Sequence, residues 1–207
     1  MSSKIRILIA DDHAIVRRGL RSLIEGEPDF IAVGEAKNGA EAVDEAIRLE
    51  PDVVVMDLMM PKKDGARATA EIRAARPGVQ VVILTSYGTS DAIAHALEAG
   101  AIGAVLKSAT ESELVPALRR AAAGKSCVAA EIRRQIAADP PVPSLTPLQR
   151  EILELVTRGL SNTDIARLRG VSEVTVKNHL TSIFQKLGVA TRAEAVALAL
   201  RKHLLEA

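Results

Sequence analysis

Aromatic side chains are almost absent from this chain, which has no tryptophan, one tyrosine and two phenylalanines among 207 residues. The core must therefore be aliphatic, and a hydrophobic share of 48% supplies enough valine, isoleucine, leucine and alanine to build one. Such interiors suit parallel α/β sheets and small helical domains. Cysteine is equally scarce. The single Cys127 excludes an intrachain disulfide and fits a reducing cytosol. Long apolar runs are missing as well. The strand-like IRILIA near the N-terminus is too short for a signal core and is stopped by Asp11-Asp12. The expectation is a cytoplasmic protein with no membrane partner. No internal repeat or low-complexity segment stands out.

A net charge of +1 says little about partners, but its distribution says more. Residues 1–124 hold 15 Lys and Arg against 18 Asp and Glu, whereas residues 140–207 hold 9 against 6. An acidic front and a basic back point to two domains with different partners. The length allows one large domain or two small ones.

The first part alternates apolar strands with helical patterns. Strands are expected at 5–10, 31–36, 53–56, 79–84 and 104–106. Helices are expected at 14–25, from a cap at Asn38 to 49, up to about 75, at 91–99 and at 112–123. Strands this uniformly apolar are buried on both faces, so the fold class is an α/β doubly wound, five-stranded parallel sheet. From 126 to 144 the pattern breaks, and Ala-Asp-Pro-Pro-Val-Pro-Ser carries three prolines within four positions. That stretch reads as a linker or hinge. The domains are thus 1–124, a linker at 125–144, and a second, smaller all-α domain at 145–207. The latter has four helices: one after the cap and first-turn pair Thr146-Pro147, then 161–169, 172–187, and one from Thr191 to about His203.

In doubly wound sheets, ligands gather at the carboxyl ends of the strands. Asp11 and Asp12 follow the first strand, Asp57 the third, Thr85 and Ser86 the fourth, and Lys107 the fifth. Clustered carboxylates repel one another and invite a hard divalent cation such as Mg²⁺. A carboxylate can act as nucleophile toward phosphorus, with the metal and an ammonium group offsetting the incoming charge and the Thr85 hydroxyl hydrogen-bonding a phosphoryl oxygen. His13 beside these hard donors, with Cys127 far along the chain, does not make a transition-metal set.

On Asp11-Asp12, Val-Val-Met-Asp57, Met60-Pro61 with Asp64-Gly65, Leu84-Thr85-Ser86 and Leu106-Lys107, residues 1–124 resemble a response-regulator receiver domain with a flavodoxin-like fold. The resemblance implies that Asp57 accepts a phosphoryl group from a sensor histidine kinase. It implies that Asp11, Asp12, Asp57 and the backbone carbonyl of Met59 hold Mg²⁺, and that Thr85 and Lys107 sense and neutralise the phosphate. One departure is clear: the position three residues before the lysine, usually Tyr or Phe, is Ala104. Tyr87 is the nearby aromatic that can gate the phosphoaspartate instead.

In the third helix of the second domain, Val176, Leu180, Ile183 and Leu187 fall on one face. The opposite arc carries Val174, Lys177, Asn178, Thr181 and Gln185, polar groups and one cation without an acid, a face suited to reading base edges. The preceding helix, Gly170 and the cap Ser172 complete a helix-turn-helix pattern. Residues 145–203 resemble the LuxR-type domain of the NarL/FixJ subfamily, on Leu145-Thr-Pro-Leu-Gln-Arg-Glu-Ile-Leu, Gly159-Leu-Ser-Asn, Val171-Ser-Glu-Val-Thr-Val-Lys-Asn-His179 and Lys186-Leu-Gly. The resemblance implies that Lys177, Asn178 and Thr181 face bases and that Thr175 lies near the backbone. Arg167, Arg169 and Arg192 are further candidates for phosphates, and His179 lies near the core arc.

Together the two resemblances imply a DNA-binding transcriptional regulator. Promoter DNA and a sensor kinase are its partners, phosphorylation promotes a homodimer, and RNA polymerase is a further partner open to it. It is not an enzyme beyond the receiver's own phosphorylation and dephosphorylation. Two rivals are a phosphatase using an Asp nucleophile on the same kind of sheet, and a receiver that serves as a protein-interaction module without phosphorylation.

Overall fold

Five short strands, β1 (Ile5–Ala10), β2 (Phe30–Ala36), β3 (Val53–Asp57), β4 (Gln80–Thr85) and β5 (Gly103–Leu106), pair in parallel in the order β2-β1-β3-β4-β5. The computed structural model describes residues 4–86, 90–141, 145–202, 204 and 205. Tyr87, proposed above as a gate, and His203 lie outside the described residues. The chain divides into two units, Met1–Pro140 and Pro141–Ala207.

The inner strands β3 and β4 are buried and apolar on both sides because helices cover both faces. On one face Leu8, Val54, Met56, Val81 and Ile83 pack with α2 (Gly39–Leu49), α3 (Gly65–Ala75) and α4 (Ser90–Glu98) through Ala42, Ala46, Ala68, Ile72, Ile93 and Ala96. On the other, Ile7, Ile9, Val53, Val55, Val82 and Leu84 meet α1 (Ala14–Gly26) and α5 (Glu111–Ala122) through Leu20, Ile24, Leu118 and Ala121. Alternate residues of one strand thus go to opposite layers, and both layers need apolar side chains. The Asn38 side chain caps α2 by accepting from the Glu41 N–H at 3.0 Å, as its position suggests. Phe30 is buried, with the Arg119 guanidinium 5.2 Å from its ring centroid.

Of residues 125–144, expected as linker, 127–138 are ordered against the first unit. Cys127 and Ala129 donate their N–H groups to the carbonyls of Ile102 and Ala104 at 3.1 and 2.9 Å, so the chain runs along the free edge of β5. A helix follows, α6 (Ala130–Ala138), which packs on α4 and β5. Ile132 is fully buried in the cluster that holds Ala104, Ala101 and Ile93. The Ser90 hydroxyl at the start of α4 donates to the Gln135 carbonyl at 3.4 Å. Covering the edge strand satisfies backbone groups that otherwise face solvent. The close approach explains Gly103: a Cβ there meets Cys127 Sγ at 2.1 Å. Burial pushes the Cys127 thiol up to about 11, so it is a packing group rather than a reactive one.

The second unit holds α7 (Pro147–Thr157), α8 (Asn162–Arg169), α9 (Glu173–Leu187) and α10 (Arg192–Arg201). Ile152, Leu153, Val156, Ile165, Val176, Leu180, Ile183, Leu187, Ala195 and Ala199 make its core. Thr146, Ser161, Ser172 and Thr191 each accept a backbone N–H three residues on, so every helix begins at a side-chain cap. Gly170 ends α8 at φ +65°, a left-handed turn that a side chain strains, and so sets the angle into α9.

Candidate functional sites

The strand order reverses between β1 and β3, and the loops after those strands carry the aspartates. Asp11, at the end of β1, is 1% exposed, and Asp57, the last residue of β3, is 5% exposed. The Lys107 ammonium, just past β5, lies 2.6 Å from Asp11 Oδ2 and 3.0 Å from Asp57 Oδ2. The Lys107 N–H donates to the Thr85 carbonyl at 2.7 Å, which ties the end of β4 to the same place. Thr85 itself is buried. Asp12 is partly exposed, and one donor atom each from Asp11, Asp12, His13 and Asp57 lies within 4.8 Å of the others.

The surroundings hold this cluster rigid. The His13 N–H donates to Asp11 Oδ1 at 2.8 Å. Arg17 donates to the Asp11 carbonyl at 2.8 Å and pairs with Glu35 at 3.1 Å, clamping the loop between β1 and α1. Beyond β3, Gly65 donates its N–H to the Leu58 carbonyl at 2.9 Å. A Cβ at Gly65 meets the Asp57 carbonyl oxygen at 2.3 Å, so α3 starts against the acidic strand end only because this residue is glycine. Asp64 caps α3 by accepting from the Arg67 N–H at 2.7 Å. The Asp64-Gly65 pair therefore fixes the loop that carries Met59.

Burial pushes the Asp57 carboxyl above the usual carboxylate range, and neighbouring Asp11 adds to this. Lys107 and the Met59 backbone N–H oppose the shift by stabilising the charged form. Burial works to lower the Lys107 ammonium, yet Asp11 and Asp57 together hold it above its usual value. Three clustered carboxylates with one ammonium beside two of them leave an excess of negative charge. An oxygen-rich set of this kind fits Mg²⁺. The exposed His13 ring also reaches the cluster, its Nδ1 2.6 Å from Asp12 Oδ1, a proximity that adjacency in sequence does not predict.

In the second unit Lys177, Asn178, Thr181 and Gln185 are exposed along the outer face of α9, and Thr175 is partly buried in its first turn. Ser172 accepts the Thr175 N–H at 3.1 Å, and the two hydroxyls lie 2.9 Å apart. Thr181 donates its hydroxyl to the Lys177 carbonyl at 3.0 Å, leaving its methyl and the oxygen's second side outward. His179 is half-buried, in keeping with its place near the core arc.

The outer arginines divide. Arg192 donates to the Leu160 carbonyl and, at 3.3 Å, to Asn162 Oδ1, and Arg169 pairs with Glu151. Both serve the fold, and Arg167 is the freer of the three, 79% exposed. One structural residue escapes a sequence reading. Gln149, buried, accepts the Thr146 N–H at 3.1 Å and the Lys186 ammonium at 2.9 Å, and donates to the Ser182 hydroxyl at 3.1 Å. It bolts α7 to the back of α9. The capping-box spacing from Thr146 was its visible signal; the long-range partners were not.

Residues 7–119 match the family model for the response regulator receiver domain. Residues 143–199 match the model for bacterial regulatory proteins of the luxR family. The chain is 37% identical over 209 residues to the transcriptional regulatory protein LiaR of Bacillus subtilis, covering 97% of this chain and 99% of that one. Among solved structures it is similar to the response regulator ChrA of a heme-sensing two-component system, with 38% identity, 98% and 100% coverage and a TM-score of 0.59. It is also similar to the response regulator RcsB in complex with DNA, with 26% identity, 97% and 99% coverage and a TM-score of 0.66. The chain belongs to the response regulators, two-component transcription regulators that join a receiver domain to a LuxR-type DNA-binding domain.

Proposed function

We propose that Asp57 is the phosphoryl acceptor of the receiver and that its modification controls DNA binding through α9. The observation that carries this reading is the Lys107 ammonium seated between two buried carboxylates at the carboxyl end of the sheet. A carboxylate oxygen of Asp57 attacks phosphorus, a P–O bond forms, and the P–N bond to a kinase histidine breaks with its electron pair leaving on the imidazole. Lys107 stabilises the added negative charge, and the Thr85 hydroxyl donates to a phosphoryl oxygen. Mg²⁺ bound by Asp11, Asp12, Asp57 and the Met59 carbonyl supplies Lewis-acid charge neutralisation at that oxygen cluster. The same residues support slow hydrolysis of the acyl phosphate, so the domain acts on itself rather than turning over a separate substrate.

Lys177, Asn178 and Thr181 read base edges in a major groove, and Thr175 approaches the backbone near the capped N-terminus of α9. Substituting Lys177 by Ala removes the cation of that face. DNA affinity is expected to fall ~10- to 100-fold, as for loss of one good base contact. A gel-shift titration checks this; unchanged affinity at two salt concentrations removes Lys177 from the interface.

One reading face binds weakly, so phosphorylation favours a homodimer that places two α9 helices on adjacent half-sites of promoter DNA. The partners on this reading are a sensor histidine kinase, promoter DNA, a second copy of the chain and RNA polymerase, and the setting is the cytoplasm. Residues 1–124 act as the switch and 145–207 as the output. Sedimentation and DNA titration with and without acetyl phosphate and Mg²⁺ test the coupling. The expected result is a doubled mass and tighter binding in the phosphorylated state; identical mass and affinity in both states reject it.

A further inference from the structure

The outer face of α9 carries an apolar side chain that neither folding nor the polar contacts above account for. Val174 is 67% exposed in the first turn of the helix. At about 100° per residue it sits in the middle of an arc of roughly 100° that runs from Lys177 through Thr181 and Gln185 to Asn178. The core residues Val176, Leu180, Ile183 and Leu187 lie on the opposite side. A β-branched residue is a poorer helix former than alanine, and here it buries little in return. The helix already begins at the Ser172 cap, so Val174 is not needed to start it.

Its neighbours define what it can meet. Lys177 and Asn178 stand one turn further along the same face, and both are exposed. No acidic side chain lies on this arc. A surface that presents one cation, amide and hydroxyl groups and a single branched apolar group matches a major-groove edge, whose apolar feature is the 5-methyl of thymine.

We propose that Val174 packs against the 5-methyl group of one thymine and so sets a T-over-C preference at that position of the DNA site. This rests on the assignment of the α9 outer face to DNA. Burying one methyl against another group excludes water from both and adds discrimination that the polar contacts do not supply.

The test uses the full chain with acetyl phosphate and Mg²⁺. A bound duplex is first selected from a randomised double-stranded DNA library. Each thymine of that duplex is then replaced singly by deoxyuridine, which removes the methyl and nothing else. Wild type is expected to bind one of these duplexes roughly three- to fivefold more weakly, the effect of one lost methyl burial. Val174→Ala should bind the parent duplex more weakly by a similar factor and lose its sensitivity to that replacement. Val174→Thr, which keeps one methyl, should keep part of it.

Equal uridine sensitivity in wild type and Val174→Ala overturns the proposal, and so does insensitivity of wild type at every thymine. A change in sedimentation mass without a change in base preference assigns Val174 to a protein contact and also overturns it. Lys177→Ala, measured on the same duplexes, separates the two levels. If it too leaves binding unchanged, the DNA assignment of α9 fails. If it weakens binding while Val174→Ala matches wild type, only the thymine contact fails. Matching thermal unfolding of the variants shows that each change is read at the interface.

Discussion

Asp57→Asn is expected to abolish phosphoryl incorporation. With acetyl phosphate and Mg²⁺, intact-mass spectrometry should show wild type gaining one phosphoryl group, labile to hydroxylamine as an acyl phosphate is, and the variant gaining none. The reason is chemical rather than structural. Asparagine keeps the shape of the side chain, but its amide is not a nucleophile toward phosphorus and offers Lys107 no charge. Asp57 ends β3 buried beside that ammonium, while Asp11 holds the ammonium from the other side at 2.6 Å. Lys107 engages both carboxylates; Asp11 also accepts the His13 N–H at 2.8 Å, and Asp57 ends the central strand β3. The variant should fold, since one carboxylate fewer relieves repulsion in the cluster. Labelling that persists at the wild-type level in Asp57→Asn moves the acceptor elsewhere and removes the basis for the receiver reading. Under the same conditions the variant's DNA affinity should stay at the unphosphorylated value.

The second large effect is expected from a residue far from both sites. Ile132→Ala should destabilise the first unit by about 2–5 kcal/mol, the usual cost of truncating a fully buried branched side chain. For a unit of this size that lowers the thermal midpoint by roughly 10 °C. Ile132 anchors α6 in the layer formed with α4 and β5, next to an Ala104 that fills little space. The contacts released with it are the two backbone bonds from Cys127 and Ala129 to the β5 edge and the Ser90 bond to α6. Hydrogen exchange over 127–138 should therefore accelerate more than exchange in β1 or β3. A midpoint shift under about 2 °C, well below the cavity cost, shows that α6 does not depend on this contact. Because α6 precedes the second unit in sequence, the same variant offers a way to ask whether its docking influences DNA binding.

Much of the first unit was legible because strand burial on both faces leaves a direct mark. Val53, Val54, Val55 and Met56 are consecutive apolar residues, the pattern of a strand in a parallel sheet covered on both faces. The strand-end rule then brings Asp11, Asp12, Asp57, Thr85 and Lys107 together without any contact being known. The boundaries differ by a residue or two. β3 includes Asp57 and β4 includes Thr85, because backbone pairing continues into the functional residues.

The miss at α6 has a physical cause. Its helix is short and has one fully buried residue, Ile132, among alanines and charged side chains, so its periodicity is weak, and the prolines after it dominate the local signal. Helicity there comes from docking against β5 and α4, a tertiary gain that no local window contains.

The sequence alone therefore determined the two domains, the parallel sheet, the acidic and basic groups at its strand ends and the polar face of α9. Each of these is set by burial pattern or by topology, and both are written in residue spacing. Tertiary structure decided the rest. It placed Lys107 between Asp11 and Asp57, made Gly65 and Gly103 points of close approach, engaged Arg192 and Arg169 with groups of their own domain and bolted α9 to α7 through Gln149. It also folded residues 127–138 of the expected linker onto the β5 edge and α4. Those outcomes depend on distances between residues far apart in the chain, and such distances are fixed by packing rather than by spacing.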